Sequence, residues 1–305
     1  MRLKSVLTSL LLASSCLLGA CVADGGTANP FGRRQADEIA SSLSANSYQR
    51  GPAPTLDSIT AENGPFPTAR IDVARSEVSG FGGGSIYYPT EAKEGTYAGI
   101  GICPGFIADK SAVAWLGNRL ASRGFVVFVI DTLSAFDDPT QRGDQLLAAL
   151  QFLRTKSDQK VRSVLDSGRL GVAGHSMGGG GSLAAAVKQT SLKSVVGLTP
   201  WNSKKNWSEV TVPTLIVAAQ NDSVAPPSDH ARPFYQSLAS SLAKSYVELA
   251  GASHNTPQSP NATLAKYMIA WEKRFLDNDT RYEPFLCPTE TDMALSDFQS
   301  TCPYD

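Results

Sequence analysis

A serine hydroxyl is a poor nucleophile at neutral pH. It becomes an effective one when a histidine takes its proton and a carboxylate steadies that histidine. Ser176 lies in Gly174-His175-Ser176-Met177-Gly178, a G-x-S-x-G pattern, and the chain has three histidines, His175, His230 and His254. His175 directly precedes Ser176, so the turn should direct its side chain away from the hydroxyl. His230 follows Pro226-Pro227 in an expected helix, whereas His254 lies in a loop after the last expected strand and is preferred as the base. Asp131 and Asp222 both end expected strands. Asp222 is preferred as the acid, because it gives the chain order serine, acid, histidine that a strand-to-helix elbow uses, and Asp131 reads as a turn cap.

The pattern alone is weak, since a tight connection without chemistry produces it too. Its context is informative: the apolar run Leu170-Gly171-Val172-Ala173 leads in, and Gly178-Gly179-Gly180-Gly181-Ser182 opens a helix-like segment. Glycines at 174 and 178 let strand and helix pass closely while the serine takes a strained conformation. The helix N-terminus favours developing negative charge. An oxyanion needs backbone donors, and Met177 N–H and Phe106 N–H, the latter in Pro104-Gly105-Phe106, are the candidates.

These residues must be positioned by a sheet. Short apolar runs are expected as strands over 69–78, 84–88, 97–103, 125–130, 170–173, 195–198, 214–219 and 246–249, the last being the final strand. Helical spacing marks 111–123, 141–155 and 262–275, with a short helix over 35–43. Strands alternating with helices imply an α/β fold, a mostly parallel central sheet flanked by helices. Phe106, Asp131, Ser176, Trp201, Asp222 and His254 all then fall at strand carboxyl ends, where such sheets carry their sites.

The chain of 305 residues suits one large domain, and 27 Lys and Arg against 28 Asp and Glu give no electrostatic support for a nucleic-acid partner. A basic start followed by an apolar run reads as an export signal over 1–23, too short for a stable membrane span. Leu18-Gly19-Ala20-Cys21 also resembles a lipobox, so release is expected, with lipid anchoring through Cys21 as the alternative. A partly flexible lead over 24–66 and a catalytic domain over 67–305 follow. Cys103 reads as a buried free thiol, and Cys287 and Cys302 as a disulfide stapling the tail in an oxidising compartment.

The assembled series resembles the bacterial cutinases and polyethylene terephthalate (PET) hydrolases of the α/β-hydrolase fold. The likeness spans about 67–302. It rests on Pro104-Gly105-Phe106, the 174–182 elbow, Thr199-Pro200-Trp201, Asn221-Asp222-Ser223-Val224-Ala225-Pro226, Ala252-Ser253-His254 and the two late cysteines. The resemblance implies a secreted ester hydrolase acting on cutin-like or aromatic polyesters in an open groove with no lid domain. The serine mechanism needs no cofactor, and a monomer is the default expectation for a secreted depolymerase. Phe106 would stack on the acyl group beside Met177, Trp201 would pack an aromatic ring, and Val224 would form an aliphatic wall. His175 and His230 match a histidine pair near the groove, with His230 restricting the Trp201 rotamer. A second disulfide found in part of the family is absent, Ala219 and Thr256 standing there, and no metal-ligand cluster is evident. The alternatives are a general short-chain carboxylesterase or lipase, and a non-catalytic exported binding protein.

Overall fold

A computed structural model describes residues 48–304. The expected export signal, Cys21 and the helix over 35–43 lie outside the described residues. Nine strands form one sheet: β1 Thr68–Val73, β2 Gly84–Pro89, β3 Tyr97–Cys103, β4 Phe125–Ile130, β5 Leu165–His175, β6 Ser194–Leu198, β7 Thr214–Ala219, β8 Lys244–Leu249 and β9 Leu295–Ser300. Their order is β1-β2-β4-β3-β5-β6-β7-β8-β9. The run from β4 to β8 is parallel, and antiparallel pairings of β1 with β2, β2 with β4 and β8 with β9 close the two ends. The helices are α1 Leu56–Thr60, α2 Trp115–Ala121, α3 Pro139–Thr155, α4 Gln159–Arg162, α5 Met177–Lys188, α6 Ala231–Ser237, α7 Ala262–Leu276 and α8 Glu283–Leu286.

Alternation along β4 shows why this sheet needs cover on both faces. Val126, Phe128 and Ile130 join a core with α3 and α5 residues such as Leu146, Leu150 and Leu183. Phe125, Val127 and Val129 join the opposite core with Leu116, Leu120, Leu264 and Trp271 of α2 and α7. A strand buried on both sides reads as an unbroken apolar run, which FVVFVI is. The parallel strands end near one another, with Cys103 opposite Gly174, His175 opposite Leu198 and Ala219 opposite Leu249. The loops after them therefore share one edge.

Four expectations need correction. The strand over 69–78 stops at Val73, because the Glu77 carboxylate accepts the Ala74 N–H at 2.6 Å and folds Arg75–Glu77 into a 3-10 turn. The helix over 111–123 is broken into a 3-10 turn, Lys110–Val113, and α2. The Asp131 carboxylate accepts the Lys110 N–H at 2.8 Å and pins that turn. His230 precedes α6 rather than lying within it. The strand ending at Leu249 is not the last, since β9 pairs with β8 from Ser245↔Ser300 to Leu249↔Leu295. The Cys287–Cys302 disulfide, which the sequence leads one to expect, closes the segment carrying β9, and Cys103 is a buried free thiol.

Candidate active site

Ser176 sits between β5 and α5 with φ 56° and ψ −120°, a conformation that costs an L-residue of order 1–3 kcal/mol. The crossing is tight enough to demand glycine. A Cβ on Gly174 would lie 2.3 Å from the Gly178 carbonyl carbon, and one on Gly178 would lie 2.3 Å from the Cys103 carbonyl oxygen. Backbone bonds fix the elbow: Ser176 N–H donates to Leu198 O at 2.9 Å, and Ser176 O accepts from Trp201 N at 2.9 Å and Gly180 N at 3.0 Å.

His254, five residues past β8, brings Nε2 to 2.9 Å from Ser176 Oγ, and its Nδ1 is 2.8 Å from Asp222 Oδ2. The other carboxylate oxygen of Asp222 accepts the Val224 and Ala225 N–H groups at 2.9 and 2.7 Å. Burial opposes ionisation of Asp222. The hydrogen bond from His254 and those from the Ala225 and Val224 backbone outweigh it and hold the carboxyl below its usual range. An ionised Asp222 can only accept, so Nδ1 of His254 carries the proton and Nε2 faces Ser176 as an acceptor.

The loop after β3 lies against the serine. A Cβ on Gly105 would be 2.9 Å from Ser176 Cβ, so only glycine lets the Pro104-Gly105-Phe106 turn approach this closely. Phe106 is 46% exposed, Val224 58%, and Met177 and Trp201 are half-buried. Trp201 stacks on His230, with centroids 5.7 Å apart and planes at 30°. Lys205 Nζ donates to His230 Nδ1 at 2.9 Å, which leaves the imidazole proton on Nε2. Burial, aided by the Lys205 charge, lowers the His230 pKa.

His175 turns away from the Ser176 hydroxyl and under His254, its Nε2 lying 2.9 Å from the His254 carbonyl oxygen. Thr199 Oγ1 donates to the same oxygen at 3.1 Å. In the sequence Thr199 stands only as the first residue of Thr199-Pro200-Trp201, with nothing local to mark this role. Its φ of 39° is the available signal only once a structure exists. Also missed was Arg142, a fully buried α3 residue whose Nη1 donates to Pro104 O at 3.2 Å. A single arginine in a helix ordinarily reads as a solvated face. Among the described residues, no group of three or more His, Cys, Asp or Glu is arranged to hold a metal ion.

A parallel sheet with a strained serine on a strand-to-helix elbow and an Asp–His pair at its hydroxyl defines an α/β-hydrolase. The chain belongs to the PET hydrolase-like family, whose model matches residues 42–303. It is 53% identical over 260 residues to the bis(hydroxyethyl) terephthalate hydrolase of Streptomyces coelicolor, covering 85% of this chain and 83% of that protein. It is 50% identical over 263 residues to cutinase 1 of Thermobifida cellulosilytica, covering 85% of this chain and 100% of the relative. A Thermobifida fusca cutinase matches at 50% over the same share of this chain and 87% of its own length.

Proposed function

We propose that this chain is a secreted, monomeric serine ester hydrolase that cleaves polyesters, aromatic ones included, through an acyl-enzyme in an open groove without a lid. The observation that carries the reading is the continuous hydrogen-bonded line from Asp222 through His254 to Ser176 Oγ. His254 takes the serine proton as Ser176 Oγ attacks the ester carbonyl. The negative charge that develops is held by Met177 N–H at the start of α5 and by Phe106 N–H. His254 then returns the proton to the departing alcohol, and a water activated by the same imidazole releases the acid. Each oxyanion donor typically lowers the barrier by roughly 3–4 kcal/mol. Only side chains, backbone donors and water take part.

Exposed Phe106 and Val224 with half-buried Trp201 support a neutral, apolar substrate that lies along the surface. The names of the relatives, cutinases and a terephthalate ester hydrolase, support the same class. The net charge of −1 offers no electrostatic support for a nucleic-acid partner, and no described helix is long and apolar enough to cross a membrane. Export follows from the leader, with an anchor on Cys21 as the alternative to release.

The test compares soluble acid released from amorphous PET film with hydrolysis of p-nitrophenyl butyrate and tributyrin. The reading requires aromatic acid products from the film. Activity on the soluble esters with none on any polyester film would make the protein a general esterase.

A further inference from the structure

Arg142 of α3 is fully buried. A buried guanidinium is costly to desolvate and is ordinarily matched by a carboxylate. Its hydrogen bonds go to main-chain carbonyls instead: Nε donates to Asp137 O at 2.8 Å, Nη2 to Ala135 O at 2.9 Å and Nη1 to Pro104 O at 3.2 Å. The Asp137 carboxylate is engaged elsewhere, its Oδ2 accepting the Ser134 N–H and Gln145 Nε2 at 2.8 Å. The first two of these arginine bonds fasten the loop between β4 and α3 to its own helix. The third leaves that loop, and stapling the loop does not account for it.

That third bond reaches the turn proposed to carry an oxyanion donor. Pro104 stands two residues before Phe106, and its carbonyl oxygen would lie 2.5 Å from a Cβ placed on Gly178. The far end of the turn is tied to the same cation, because Ala135 O, held by Nη2, also accepts the Ile107 N–H at 3.0 Å. Gly105 and Phe106 are thus bracketed by bonds that lead to Arg142. The second proposed donor is no less closely approached. A Cβ on Gly181 would lie 2.9 Å from Pro139 O and 3.0 Å from Arg142 Cβ, and one on Gly143 would lie 2.8 Å from Gly181 O. The start of α3 therefore rests directly on the first turns of α5, whose first residue is Met177.

We infer that Arg142 is a positioning residue for the oxyanion site, fixing the spacing of Phe106 N–H and Met177 N–H from beneath without reaching the substrate. The inference deepens the ester-hydrolase reading of the Ser176 site and rests on it. Donors aimed at developing charge act in the transition state and little in the ground state, so their spacing governs kcat rather than KM. A planar guanidinium suits the task, because its rigid fork holds several acceptors in fixed relative positions and a flexible ammonium does not.

The test measures kcat and KM for p-nitrophenyl butyrate and for its thiono analogue, in which C=S replaces C=O, in wild type, Arg142→Lys and Arg142→Gln. Sulfur accepts hydrogen bonds weakly, so the thiono ester draws little on the two donors. The ratio of the two kcat/KM values does not depend on how much of a preparation is folded, which separates misplaced donors from a destabilised chain. Removing an oxyanion donor outright costs about 10²–10³ in kcat. Displacing one in Arg142→Gln should lower kcat on the oxygen ester by about tenfold or more, keep KM within about twofold, and lower the oxygen-to-sulfur ratio by about the same factor as kcat. Arg142→Lys, which keeps the charge and a donor, should fall between Arg142→Gln and wild type, and it alone decides if Arg142→Gln does not fold. Equal losses on both esters, an unchanged ratio, or failure of both variants to fold would overturn the assignment and leave Arg142 a purely structural residue. A wild-type enzyme that hydrolyses neither ester would instead refute the ester-hydrolase reading, so the two failures are distinct.

Discussion

His175 donates its Nε2–H to the main-chain carbonyl oxygen of His254 across 2.9 Å. A carbonyl can only accept, so the tautomer is fixed and the buried Nδ1 is left without a partner. The residue before Ser176 thereby holds the backbone of His254, and Thr199 Oγ1 supplies the second donor on the same oxygen.

Thr199→Val keeps the branched shape and removes only that donor. The loss corresponds to roughly 0.5–1.5 kcal/mol, or about two- to tenfold in rate. Steady-state kinetics on p-nitrophenyl butyrate should show it in kcat, with KM nearly unchanged. A rise in KM at constant kcat would mean that Thr199 serves substrate binding instead.

Two buried groups give the stability curve opposing slopes with pH. Burial lowers the His175 pKa from 6.5 to about 4. Between those values the unfolded chain takes up a proton that the native state refuses, so stability drops as pH falls from 6.5 towards 4, by up to about 3 kcal/mol. Burial raises Glu272 on α7 from 4.5 to about 8, so its contribution is complete below pH 4.5 and is lost as pH rises through 8. Urea unfolding across this range should show His175→Asn flattening the acid limb and Glu272→Gln flattening the neutral one. Variant curves that run parallel to wild type would contradict the assignment.

The Cys287–Cys302 link spans 15 residues, a loop whose closure contributes roughly 3 kcal/mol in the chain-entropy model. The double serine variant should melt roughly 6–12 °C lower by calorimetry. Its site should remain intact, because β9 is the edge strand, four strands from β5, which leads to Ser176, and β8 keeps its pairing with β7.

The catalytic candidates were legible because chemistry and topology restrict them together. Ser176, Asp222 and His254 follow β5, β7 and β8 in the order an elbow requires, and the glycines at 174 and 178 record a backbone approach that no side chain permits. What local pattern could not reveal was set by distant partners. β9 has no apolar periodicity of its own, and its existence depends on pairing with β8. The break before α2 depends on Asp131, more than fifteen residues away. Arg142 is buried only because three loop carbonyls converge on it.

His230 is the stacking partner of Trp201 and is itself held by Lys205. His230→Ser should release the indole, shifting Trp201 fluorescence and raising or lowering kcat/KM on aromatic esters while leaving butyrate hydrolysis close to wild type. If fluorescence and aromatic-ester kinetics both stayed as in wild type, His230 would have no hold on the Trp201 rotamer.

The most direct test of the Ser176, His254 and Asp222 mechanism is acid-quench peptide mapping of the enzyme during turnover of p-nitrophenyl butyrate. A butyryl group should be found on the peptide containing Ser176, and both adduct and turnover should vanish in Ser176→Ala. An adduct on another residue, or wild-type turnover by Ser176→Ala, would contradict the account.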